Sequence, residues 1–125
     1  IRLSIMAAKD ELGRAGEDRA VAYLIGRGYA ILDRNWRCEQ GELDIVAHHR
    51  DALAFVEVKT RRTLDYGHPF EAIDRPKRRR LWRLAQLWVR AHPATAPGAV
   101  LRLEAIGIVG ADPAHGALEH LQDLR

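Results

Sequence analysis

The chain has 125 residues, with 20 Lys and Arg against 17 Asp and Glu, a net charge of +3 and a pI near 9.4. That length suits a single domain and buries enough surface to fold without a disulfide or a metal. With 47% apolar and 30% charged residues, and no apolar run near the ~20 residues of a bilayer crossing, the composition excludes a disordered or membrane-spanning chain.

The first residues, IRLSIMAAKDEL, lack the apolar core and small-residue cleavage site of a secretory signal, so a soluble cytoplasmic domain is expected. The chain opens on Ile1 rather than Met, and residues 1–8 are expected to be disordered or an added end. Residues 10–27 predict a helix ending at Gly26 or Gly28. Asp10 is its expected cap, and Leu12, Ala15, Ala20, Ala22, Tyr23 and Leu24 form its apolar side. YAILDRNW (29–36) predicts a short strand leading to a polar turn at Cys38–Gly41. Cys38 is the sole cysteine, which rules out an internal disulfide or a multi-cysteine zinc cage, and it reads as structural. ELDIVAH (42–48) and ALAFVEVKT (52–60) predict a hairpin around His49–Asp51. After the loop RRTLDYGHPF, Asp74 caps a second helix that has Pro76 in its first turn and runs to about His92. Its buried stripe is Leu81, Leu84, Ala85, Trp88 and Val89, with Trp82 at the margin and the arginines opposite. VLRLEAIGIV (100–109) predicts a strand, and ALEHLQDL (117–124) a last strand or short helix. The order αβββαβ predicts one α/β domain over 1–125, a mixed sheet flanked by helices.

Charge is unevenly placed along this frame. Between Lys59 and Arg90 lie ten basic and three acidic residues, so that window carries +7 and the remainder −4. A one-sided basic segment is an electrostatic footprint for a polyanion, although most charge runs are solvated helix faces. Here the acids that would pair the arginines at i,i+4 are missing between Arg75 and Arg102, which favours the polyanion.

The hairpin carries the chemistry. With the turn at 49–52, partner numbers sum to 101, which sets Asp44 opposite Glu57. Glu57 and Lys59, two apart, share a face. Leu43, Ile45, Ala47, Ala54, Val56 and Val58 are expected to form the opposite, apolar face. Two carboxylates gathered beside apolar neighbours repel each other, and a hard divalent cation such as Mg²⁺ or Mn²⁺ relieves that repulsion. Lys59 would then position an attacking water, help deprotonate it, or neutralise charge developing on phosphorus. The competing reading is a structural Glu–Lys pair on a strand, the commoner origin of an isolated D…ExK match.

GELDIVA (41–47) followed by FVEVKTR (55–61) resembles the hairpin signature of the PD-(D/E)xK nuclease-like superfamily. GRAGE (13–17), NWRC (35–38), YGHPFEAI (66–73), KRRRL (77–81) and EHLQD (119–123) extend the likeness over nearly the whole chain. Together they resemble the YraN family of uncharacterised bacterial proteins, which is similar to archaeal Holliday-junction resolvases. The resemblance implies a restriction-endonuclease-like core. It also implies a catalytic set of Glu17, Asp44, Glu57 and Lys59, in which Glu17, Asp44 and Glu57 are metal ligands. Leu43 stands where the motif has proline, and Glu104 where relatives commonly carry Asp. Homodimerisation is implied by analogy with the resolvases.

The leading expectation is a Mg²⁺- or Mn²⁺-dependent endonuclease-like protein acting on structured or branched DNA. Arg61, Arg62, Lys77, Arg78, Arg79 and Arg80 are expected to hold the phosphate backbone. The alternatives are a catalytically silent nucleic-acid-binding module and a protein-interaction subunit on the same fold. Glu42 reads as the exposed start of a strand, His48 and His49 as solvated turn residues, and His68 as a loop histidine. Among Trp36, Trp82 and Trp88, core packing is preferred over stacking on bases.

Overall fold

The computed structural model describes residues 2–124, with side chains from Ala8 to Leu124. Helix α1 spans Arg2–Gly26, followed by β1 (Ala30–Cys38), β2 (Gly41–His49) and β3 (Ala52–Arg61). A short 3₁₀ turn, Pro69–Ala72, precedes α2 (Arg75–Ala91), and β4 (Val100–Val109) and β5 (Ala117–Leu121) close the chain. The last segment is therefore a strand. The sheet runs β1–β2–β3–β4–β5, antiparallel throughout except for the parallel β3–β4 pair that α2 connects. This is the mixed sheet flanked by two helices of a restriction-endonuclease-like core.

Helix α1 starts well before Asp10, which therefore lies inside the helix and not at its cap. Of the expectation for residues 1–8, the side chains of residues 1–7 lie outside the described residues. The helix's apolar side also differs from the expected one. Gly16, Ala20 and Leu24 are buried and Leu12 half-buried, whereas Ala15 and Ala22 are exposed. The buried row follows a strict i,i+4 ridge, so the helix meets the sheet along a narrow line of small residues. Gly16 is where this matters most: a β-carbon there would run into the Thr60 hydroxyl on β3. The helix stops at Gly26, and Gly28 adopts φ 89°, the left-handed conformation that turns the chain into β1.

Two cores fill the faces of the sheet. One, under α2, joins Val46, Leu53, Phe55 and Leu103 with Leu81, Leu84 and Trp88. The other, under α1, joins Ile45, Ala47, Ala54, Val56 and Ile106 with Ala20 and Leu24. Strand β3 is buried on both faces from Ala52 to Glu57, as a central strand with a parallel neighbour should be. Leu43 departs from its expected side and packs in the α2 core with Val46. The alternation of β2 therefore breaks at Asp44, next to the place where the β2–β3 ladder ends, at Ile45–Val56.

Helix α2 begins as its sequence dictates: Asp74 Oδ1 accepts the Lys77 amide at 3.0 Å, and Pro76 sits in the first turn. Val89 is half-buried, and the rest of the expected stripe is buried. Among the described residues no helix is long and apolar enough to cross a membrane.

Candidate functional site

The β2–β3 register sums to 101 as expected, from His49–Ala52 to Ile45–Val56. Beyond that last pair the strands part, and the Asp44 side chain takes over: its Oδ2 accepts the Val58 amide at 2.9 Å. Asp44 lines two cavities at once. One, of about 550 Å³ on the α1 side, is walled by Glu17, Asn35, Lys59, Arg61 and Arg62. The other, of about 270 Å³, faces Glu57, Lys77 and Arg80. Two of the expected phosphate contacts thus stand on each side of Asp44, while Arg78 and Arg79 line a separate groove on the other flank of α2.

Glu57 is only 6% exposed. Its Oε1 lies 3.6 Å from the Lys59 ammonium and 3.3 Å from that of Lys77. Burial raises Asp44 from its ordinary value of 3.8 to about 7, with repulsion from Glu57 next in size and the Val58 amide opposing both. Lys59 is held below the ordinary lysine range by burial first and then by Lys77, against the pull of Glu57 and Asp44. Burial thus raises the carboxylate and lowers the ammonium, and both groups line the same cavity.

Glu17 shares the α1-side cavity, but its Oε1 accepts from Asn35 Nδ2 at 2.8 Å and from Arg34 at 3.3 Å. Asn35, at φ 53°, sits between the pairs Arg34–Ile45 and Trp36–Leu43, in a backbone region that asparagine tolerates better than most residues. It stood in the sequence only as part of NWRC, and its left-handed conformation has no sequence signal beyond the residue type. Among the described residues no three His, Cys, Asp or Glu side chains are gathered closely enough to hold a metal. No buried side-chain nitrogen or oxygen among them lacks a partner. The donor chemistry of the Asp44–Glu57 pair still fits a hard cation, because Mg²⁺ is commonly bound through one or two carboxylates and keeps several waters.

The remaining candidates take structural places. Glu42 pairs with Arg37 at 3.3 Å. His49 is half-buried, its ring stacked on Tyr29 at 4.1 Å, so it is not simply solvated. His68 accepts the Phe70 amide through Nδ1 and joins Glu119 through Nε2 at 2.9 Å, tying the loop to β5. Trp88 is buried and donates to Asp33 at 2.9 Å, and Trp36 packs at the edge of the α2 core. Trp82 is 40% exposed and does not join the core.

One cluster escaped the sequence. Glu104 is fully buried and meets Tyr29 Oη at 2.8 Å, Arg102 Nε at 2.7 Å and His120 Nε2 at 2.6 Å. The available signal was an Arg and a Glu two apart on a strand, with a histidine on the next strand. These contacts account for the acid at 104 and for His120 of EHLQD as joints between β4, β5 and the α1–β1 turn.

The model of a family described as "Uncharacterised protein family UPF0102" matches residues 16–108. A UPF0102 protein of Paenarthrobacter aurescens is 48% identical over 118 residues, 94% of this chain and 96% of that protein. One of Pseudarthrobacter chlorophenolicus is 50% identical over 117 residues, 94% of this chain and 87% of that protein. One of Streptomyces griseus is 47% identical over 104 residues, 83% of this chain and 87% of that protein.

Proposed function

The chain belongs to the UPF0102 family, which is the YraN family of the sequence resemblance, and we propose that it is a metal-dependent endonuclease acting on structured or branched DNA. The observation that carries this reading is Asp44: half-buried, pushed up to about 7 by burial and by Glu57, and open to two cavities walled with cations. Asp44 and Glu57 would hold Mg²⁺ or Mn²⁺, while Glu17, held by Asn35 and Arg34 on the α1-side wall, stands apart from that pair. Bound there, the cation would supply Lewis-acid polarisation of a phosphodiester and offset the repulsion between the carboxylates.

The protein's own groups divide the remaining work. Lys59, with its affinity for the proton reduced by burial, is placed to accept a proton from an attacking water or to hold it in position. Lys77 and Arg80 on one side of Asp44, and Arg61 and Arg62 on the other, would hold successive phosphates of the strand being cut. Arg78 and Arg79 would extend that contact along α2.

A second reading has its own support. Glu57 is already neutralised by two lysines and Glu17 by Arg34 and Asn35. Carboxylates satisfied in this way suit a nucleic-acid-binding module without turnover. Incubating the protein with a panel of flap and branched DNAs and Mn²⁺, beside Asp44→Ala and Lys59→Ala, separates the two. Cleavage by wild type that both substitutions abolish is expected. Equal cleavage by all three proteins marks a contaminant and ends the nuclease reading, and salt-sensitive binding without cleavage selects the module.

A further inference from the structure

Helix α2 has two flanks on either side of its buried stripe. Lys77 and Arg80 lie on the flank facing Asp44 and Glu57. On the other flank, Arg75, Arg78, Arg79 and Trp82, at i, i+3, i+4 and i+7, line a groove of about 700 Å³ whose opposite wall is β4. This groove is larger than either cavity beside Asp44 and holds none of the proposed catalytic residues. We propose that it binds the bases of a single-stranded DNA segment, with Trp82 as the stacking platform, so that a strand leaving the carboxylate site crosses α2 and is held on its far side.

Three observations favour that occupant. First, the surfaces suit bases. The Trp82 indole is 40% exposed and Val100 opposite it 58%, with Leu101 and Leu103 along the β4 wall. An exposed aromatic over an apolar floor is what unstacked bases use, and a duplex, whose bases are already stacked, cannot offer them. Second, the charge is one-sided: arginines at 75, 78 and 79 line the groove against a single acid, Asp123, while Arg102 on the β4 wall is paired with Glu104. A second copy presenting the same groove would bring like charges together, which disfavours a symmetric dimer here. Third, the two flanks are connected. Arg79, Arg83 and Arg80 are all exposed, and helical spacing sets them in that order across the outer face of α2, from the groove to Lys77. A helix is about 10 Å across, a span that a few nucleotides cover, so one backbone would meet cations all the way. An acidic peptide would use the charges but would leave the indole and the continuous track unexplained. The inference rests on the nucleic-acid half of the proposed function and not on cleavage.

The test is fluorescence anisotropy in EDTA, where no cutting intervenes, with fluorescein-labelled dT12, rU12 and a blunt 12-base-pair duplex. Trp82→Ala is expected to weaken dT12 binding about tenfold, the scale of one lost base–aromatic stack, and Trp82→Phe to retain most of it. The blunt duplex should change less than about twofold. Because Trp82 lies outside the core, melting curves of both variants should match wild type, and the conservative variant separates stacking from folding. Unaltered dT12 binding by Trp82→Ala overturns the proposal, as does equal weakening for the duplex. Tighter binding of rU12 overturns the assignment to DNA, and displacement of dT12 by a twelve-residue polyglutamate as effective as unlabelled dT12 overturns it in favour of an acidic peptide. Absence of Mn²⁺-dependent cleavage alongside a Trp82-dependent dT12 affinity removes the catalytic reading and leaves the groove standing.

Discussion

Replacing Asp44 with Asn should stabilise the metal-free protein, in a manner that depends on pH. The amide keeps the size of the side chain and its oxygen can still accept the Val58 amide, so only the charge is lost. The folded protein raises Asp44 from 3.8 to about 7, which corresponds to roughly 4 kcal/mol between its two protonation states. Because Asp44 is only half-buried, about 2–4 kcal/mol is the expected range. The sign follows from proton linkage. With its folded value above the unfolded one, Asp44 binds more protons in the native state between these values, so its contribution to wild-type stability falls as pH rises from about 4 to about 7 and is then level. The gain from Asp44→Asn should therefore be under about 1 kcal/mol at pH 4 and complete at pH 8, where it raises the melting temperature by roughly 5–15 °C. Differential scanning fluorimetry in EDTA across this range measures it, and both proteins share every other titrating group. Equal melting at pH 8, or a difference that does not change with pH, would refute the claim that the fold buries the Asp44 charge beside Glu57.

The same reasoning yields further expectations. Glu104→Ala strands His120, Arg102 and Tyr29 without their common acceptor and should cost roughly 3–5 kcal/mol in urea unfolding. Its partners hold Glu104 below its ordinary 4.5 against desolvation, so its contribution is present above that pH and is lost as pH falls; Glu104→Gln should remove this part of the acid sensitivity. Gly16→Ala, a change that stabilises an exposed helix, should here destabilise by about 1–3 kcal/mol because the new methyl meets Thr60, and a gain in the urea midpoint would show that α1 does not press on β3 at this point.

Much of this was legible because hairpin register is discrete. Once the turn was placed between His49 and Ala52, each pair up to Ile45–Val56 followed from counting, and the strand carrying Glu57 and Lys59 was fixed with it. The cap of α2 was equally legible, since Asp74 and Pro76 act within one turn. What escaped were contacts whose partners lie far apart in the chain. Tyr29, Glu104 and His120 meet only after β4 and β5 have been laid beside the first hairpin. The seat of α1 escaped for another reason: Ala15, Ala20 and Ala22 look alike in sequence, and only the close approach at Gly16 selects the row that faces the sheet.

The break at Asp44 is of a different kind. Regular alternation places Leu43 with Ile45, and that rule fails within a few residues of three other departures. The β2–β3 ladder stops, Asn35 turns left-handed on the neighbouring strand, and a side-chain carboxylate accepts the Val58 amide. A continuing ladder would have satisfied Val58 through backbone and sealed the space between the strands, whereas the side-chain bond keeps them apart and leaves room for both cavities. Folding alone gives no reason to hold Asp44 against Glu57 there, since its charge costs stability at neutral pH. Local rules that fail together, around a group the fold is better off without, are expected at functional or strained sites, which supports the role proposed for Asp44. Removal of the charge should therefore accompany loss of function, with Asp44→Asn more stable and unable to act.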